Sequence, residues 1–176
     1  MNRHLLAVIT RLTLTFASVF IAFSLLVDPW RRYEARAVTS ALSLLGVAGA
    51  SRSYGNEILV IPNSSSPFLA TISPSCSALA AVLTFVAISV FLLRGEPMRR
   101  VVAAIGASML VFVCNLVRIG LSVLVGVYTD SHGLVVFHDW VGTAFGLMYV
   151  LGGFTLFLWL LLPSNDLLLK EATRAR

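Results

Sequence analysis

The chain has 176 residues, of which 58% are hydrophobic and only 12% charged, and its mean hydropathy is +0.91. Water-soluble domains carry roughly twice that share of charge, about 25%, so a soluble fold is excluded: there are too few charges to cover this much apolar surface. The net charge of +5 does not indicate nucleic-acid binding either, because the arginines sit in short clusters beside apolar runs, which suits anionic head groups and membrane orientation.

The first apolar run, residues 5–27, is interrupted by Arg11 and a few hydroxyl residues. Its basic start resembles a secretory signal, but it is too long for one, and Asp28-Pro29-Trp30 is a poor cleavage site. It therefore predicts a retained transmembrane helix that ends at Pro29. Residues 35–50 are apolar but short of the roughly 20 residues that cross hydrocarbon; with Thr39, Ser40 and Ser43 they predict an amphipathic interfacial helix. Residues 51–75 are the one stretch of exposed, non-helical character. Glu57 to Ile61 is strand-like, residues 62–67 are turn chemistry, and Phe68 to Ile72 returns, which predicts a small β-hairpin. Three further spans follow at 77–93, 101–125 and 140–162, with a basic loop after the first and a basic tail at 163–176.

The expected fold class is thus an all-α membrane protein with about four spans, one interfacial helix and a small extracytoplasmic hairpin, in a single membrane domain. Lys and Arg are enriched in cytoplasmic loops. With both termini inside, Arg3, Arg94, Arg99, Arg100, Lys170, Arg174 and Arg176 are cytoplasmic, and Arg31, Arg32, Arg36 and Arg52 lie outside. A further crossing by 35–50 would put both the short basic loop and the basic tail outside, against the rule.

Cys76 and Cys114 occupy different segments and form no CxxC, so no disulfide framework, zinc site or thiol-oxidoreductase pair is indicated, and no metal or cofactor is expected. The topology places Cys76 at the outer end of the second span and His138 at the outer end of the fourth. Arg118, roughly 25 Å up the third span at 1.5 Å per residue, lies at a similar depth. Chemically these are a nucleophile, a base and a cation: a thiolate attacks carbonyls, an imidazole moves the proton, and a guanidinium holds the oxyanion. Each also has a plainer reading, as a packing cysteine, a snorkelling arginine and a residue where a helix begins.

Pro74-Ser75-Cys76-Ser77-Ala78, Asn115-Leu116-Val117-Arg118-Ile119 and Phe137-His138-Asp139 together resemble the three signature boxes of the exosortase/archaeosortase family. The resemblance implies a polytopic prokaryotic transpeptidase that cleaves the C-terminal sorting signal of secreted proteins, a short motif followed by a membrane helix and a basic cluster. It implies Cys76 as the thioester-forming nucleophile, Arg118 as oxyanion stabiliser and His138 as acid/base. Ala78 stands where the family often has Gly, and the chain has fewer spans than many members.

Around this set, Asn115 shares a helix face with Arg118 and either orients it, binds the substrate backbone or joins helices. Asp139 either caps the fourth helix or contacts the site, and Ser77 is expected to orient or bind substrate. Cys114, one turn below Arg118, is expected to pack. The expected location is the prokaryotic plasma membrane, with the site on the outer face. The expected partners are a secreted protein held by its C-terminal helix, membrane lipid and an acceptor lipid or glycan, and no nucleic acid. A guiding role for the extended recognition segment, by strand addition, falls to the hairpin from Glu57 to Ile72. Two alternatives stand: hydrolytic release by the same cysteine, and a non-catalytic assembly subunit.

Overall fold

A computed structural model describes residues 3–46, 50–62, 67–91, 96–129 and 131–162. The expected cytoplasmic tail, Arg94, the turn residues 63–66 and Asp130 lie outside the described residues.

Helix α1 (Arg3–Leu44) runs straight through Pro29, so the predicted break there, and a separate interfacial helix over 35–50, are not found. Proline removes one backbone hydrogen bond, whereas ending a helix in apolar surroundings would orphan four carbonyls. The second half is also gripped from outside. Trp30 meets the Phe112 ring edge-on at 5.6 Å, and Tyr33 stacks on it at 5.9 Å. At 1.5 Å per residue α1 extends about 63 Å, twice the hydrocarbon thickness. Its first half projects Phe16, Phe20 and Leu25 away from the rest of the chain, as a lipid-facing helix does. Its second half buries Ala35, Val38 and Leu42.

A three-stranded antiparallel sheet follows: β1 (Ala50–Tyr54), β2 (Glu57–Ile61) and β3 (Phe68–Thr71), in spatial order β1-β2-β3. The predicted hairpin is its β2–β3 half, with Ile58 opposite Ala70 and Val60 opposite Phe68. Strand β1 was not anticipated, because Ala-Ser-Arg-Ser-Tyr carries no β-branched alternation; Gly55 at φ +63° makes the tight turn that pairs it with β2. Alternate residues Ile58, Val60 and Ile72 turn inward and form one apolar core with Ala35, Val38, Leu42, Ile119 and Val123.

Helix α2 (Leu79–Phe91), α3 (Pro97–Tyr128), the short α4 (Ser131–Val136) and α5 (Thr143–Leu161) complete the chain. A π-helical turn, Phe137–Gly142, fuses α4 to α5, so His138 and Asp139 sit within helix rather than in the connecting loop that was predicted. Helix α3 is the central post. Its small residues Ala103, Ala104 and Ala107 allow close approach of α2 and α5 around Phe85 and Phe157. Gly153 of α5 lies where a Cβ would stand 2.7 Å from Val111, so that crossing depends on its missing side chain. Among the described residues three helical segments are long and apolar enough to cross a membrane, in α1, in α3 and over His132–Leu161. Helix α2 is apolar but 13 residues long, about 20 Å at helical rise, and is not one of them.

Candidate active site

Between the end of β3 and the start of α2, Pro74 opens a single 3-10 turn, Pro74–Cys76, whose last residue donates its backbone N–H to the Ser73 carbonyl at 3.0 Å. The Ser73 hydroxyl donates to Cys76 Sγ at 3.0 Å. Two residues on, the Ala78 N–H donates to Glu34 Oε1 at 2.9 Å. The thiol is thus held from both sides, by the sheet and by α1.

The π turn presents His138 toward it. Wider than an α-turn, such a turn re-aims side chains and recurs at functional sites. His138 Nε2 stands 2.9 Å from Cys76 Sγ, and its Nδ1 stands 3.0 Å from Asp139 Oδ1. With Nδ1–H donated to Asp139, Nε2 carries the lone pair that accepts the thiol proton. Arg118, 8% exposed, brings Nη2 to 3.4 Å from His138 Nε2 and Nη1 to 3.4 Å from Asn115 Oδ1. Nε is buried, and these long contacts leave only terminal N–H donors for a further acceptor in the cleft it lines. Gly142 makes room for it: a Cβ there would meet Arg118 Nε at 3.2 Å.

Beneath Cys76, Arg118 and His138 lies a polar chain of which the sequence had pointed only to Asn115, not to Glu34 or Tyr149. Asn115 is 0% exposed; its Nδ2 donates to Glu34 Oε1 at 3.1 Å, and its Oδ1 also accepts the Tyr149 hydroxyl at 2.9 Å. Glu34, also 0% exposed, additionally accepts Trp30 Nε1 at 3.1 Å. One carboxylate oxygen therefore ties α1 to the backbone beside Cys76 and, through Asn115, to Arg118. Asn115 is buried, does not line the cleft, and contacts Arg118. The Ser77 hydroxyl accepts the Leu79 N–H at 3.3 Å at the start of α2 and does not line the cleft. Asp139 is turned to His138 and forms part of the cleft wall. Cys76 and Cys114 are both free thiols.

The cleft, of about 270 Å³, lies between β3 on one side and α4 on the other, with Arg118, Ile119, Ser122 and Val123 of α3 as its floor. Cys76 and His138 line it.

Burial pushes the Cys76 thiol up, but hydrogen bonds from Ser73 and His138, with the positive potential of His138 and Arg118, outweigh it and hold the thiol below its ordinary value. The sign is that of a group whose charged form is favoured, so thiolate persists to lower pH than in a free cysteine. Alkylation of Cys76 by iodoacetamide, followed by peptide mapping across pH, should reach half its plateau below the midpoint of a free thiol. Arg118→Gln and His138→Ala should each move that midpoint up; a midpoint at or above the free-thiol value would contradict the assignment.

A family model described as transmembrane exosortase matches residues 2–161 of this chain. No curated protein and no solved structure matches it.

Proposed function

The chain belongs to the transmembrane exosortase family, and from that membership and the site's geometry we propose that it is a membrane cysteine transpeptidase acting on the C-terminal sorting signal of secreted proteins. The observation that carries the reading is the 2.9 Å approach of Cys76 Sγ and His138 Nε2, side chains 62 residues apart in the chain.

His138 Nε2 takes the thiol proton, and the Cys76 thiolate attacks the scissile carbonyl carbon, forming a C–S bond. Arg118 donates to the oxyanion that develops there. His138 then passes its proton to the departing amine as the C–N bond breaks, leaving the secreted protein as a thioester on Cys76 and the C-terminal helix in the membrane. An acceptor amine or hydroxyl attacks the thioester with His138 as base; the C–S bond breaks and the thiolate recovers the proton. Asp139 holds the imidazole in the tautomer this sequence requires. In this reading the cleft opens at the outer face of a prokaryotic plasma membrane, with the basic pair Arg99 and Arg100 at the cytoplasmic start of α3. A substrate anchored by its own helix reaches the cleft by lateral diffusion.

The test is to co-express the enzyme with a secreted protein bearing a C-terminal apolar helix and basic cluster, quench with acid and map Cys76. A hydroxylamine-sensitive acyl group on Cys76 is expected, its mass that of the fragment preceding the cut. Substrate cleaved with no acyl group ever found on Cys76 would overturn the mechanism. The mass of the released C-terminus separates outcomes: an added acceptor marks transfer, and a free acid marks hydrolysis by the same thioester.

A further inference from the structure

The cleft has one wall with an unusual lining. Leu69, Ala70, Thr71, Ile72 and Ser73 border it in unbroken succession. Side chains of a strand alternate between two faces, so a cavity lying against one face would touch every second residue. A cavity that touches consecutive residues reaches the strand's edge, and because Ile58 of β2 also lines it, it runs beneath the sheet's inner face as well.

That edge is open. In the order β1-β2-β3, both sides of β2 are paired, so within the hairpin from Glu57 to Ile72 that composition had suggested for strand addition, β3 is the strand left with an edge. Among the described residues, strand β3 is paired on one side only. The Ile72 N–H bonds the Asn56 carbonyl across the hairpin. Because backbone polar groups of an antiparallel strand alternate in direction, Ala70 and Phe68 face β2 with it, and Leu69 and Thr71 turn their N–H and C=O groups the other way, into the cleft. Leu69 is 54% exposed and Thr71 is exposed. The same chain then passes through Ser73 to Cys76, so the row of free backbone groups ends at the thiol.

Opposite this edge stand Leu134 and Val135 of α4, and beneath it Ile119 and Val123 of α3. An extended peptide laid there would bond β3 through every second residue. Its alternate side chains would point down onto an apolar floor. The geometry points to β3 as the substrate-docking edge: an extended peptide segment flanking the cleaved bond adds to the sheet as a fourth strand, paired with Leu69 and Thr71, and inserts apolar side chains over Ile119 and Val123. This deepens the transpeptidase reading and rests on Cys76 as the attacking group.

The probe is a short peptide of alternating valine and alanine ending in an iodoacetamide group, reacted with the full-length protein in detergent micelles. Alkylation of Cys76 is followed by peptide mapping and expressed relative to iodoacetamide itself. Wild-type protein should react with the peptide reagent at least tenfold faster. Proline lacks the N–H but is tolerated on an edge strand where that N–H faces outward. Thr71→Pro should therefore lose roughly fivefold of the enhancement for one net hydrogen bond, and Leu69→Pro with Thr71→Pro essentially all of it. Ser53→Pro is the matched change on the far edge of the same sheet, and it should keep the enhancement.

Two N-methylated isomers of the peptide, blocked at odd or at even amides, keep the test independent of how the variants fold. On wild-type protein only one isomer should lose the enhancement, since only one set of amides faces β3. Equal loss with both isomers, loss with neither, or no advantage of the peptide over iodoacetamide would overturn strand addition. Because the readout is alkylation, such a failure would leave the acyl-enzyme test standing; a missing acyl group on Cys76 with the peptide enhancement intact would remove the mechanism and leave the docking edge.

Discussion

Cys76→Ala is expected to abolish processing of the sorted protein, a loss on the order of 10⁴-fold or more, as for removal of a nucleophile elsewhere. No other group in the cleft replaces it. The Ser73 hydroxyl is 3.0 Å away but donates to the sulfur, and its partner Ser75 lies 2.8 Å further on, outside the cleft lining. His138 holds its Nε2 2.9 Å from the sulfur position, closer than the 3.4 Å to Arg118 Nη2. Cys76→Ser keeps a similar shape but offers a hydroxyl that stays protonated where the thiol ionises, so it should process little or nothing and accumulate uncleaved substrate. The change trims a small, half-buried side chain at the margin of the apolar core, so both variants should be recovered from the membrane at close to wild-type levels. Substrate size, read on a gel and by mass, is the measurement. Full processing by Cys76→Ala would sink the catalytic reading and favour a non-catalytic assembly subunit.

Glu34→Ala should produce the largest structural loss. It leaves Ala78 N–H, Asn115 Nδ2 and Trp30 Nε1 without their acceptor. At about 1–3 kcal/mol for each buried donor left unmade, the cost is roughly 3–9 kcal/mol, a fall in melting temperature on the order of 10 °C or more for a chain of this size. Activity should fall further than stability accounts for, because Asn115, once released, no longer holds Arg118 Nη1. Glu34→Gln retains a carbonyl oxygen for the three donors and should recover most of the melting temperature and much of the activity. Thermal unfolding in detergent, with the Cys76 alkylation rate measured beside it, checks both. A Glu34→Ala protein with wild-type melting and wild-type Cys76 reactivity would reduce the network to coincidence.

Glu34 also shows why part of the site could not be read from the chain. An acidic residue at membrane depth is a functional signal by itself. That signal was hidden by the expected end of the helix at Pro29, which assigned Glu34 to an exterior linker. Once α1 runs through Pro29, the carboxyl is carried into the bundle. The Asn115 environment has the same origin: spacing puts it on the Arg118 face, but only the tertiary structure brings Glu34 and Tyr149 from other helices onto its amide. His138 and Asp139 were expected in a loop and before a helix; the π turn, which no residue pattern announces, brings them onto one wall of the cleft.

What the chain alone determined are the features that depend on composition and short-range pattern. Too little charge for a soluble surface made lipid the solvent, the apolar runs located the helices, alternation located β2 and β3, and three short boxes pointed to a family and to Cys76, Arg118 and His138. What only the tertiary structure decided are the features that depend on which elements meet. These are the continuity of α1, the pairing of β1, the buried carboxyl that joins α1, α2 and α3, and the free edge of β3 that leads to the thiol. The physical reason is that hydrophobicity and helical period act over a few residues of one chain segment. A buried hydrogen bond or an open strand edge is instead a relation between segments, stabilised or exposed only after both have been placed.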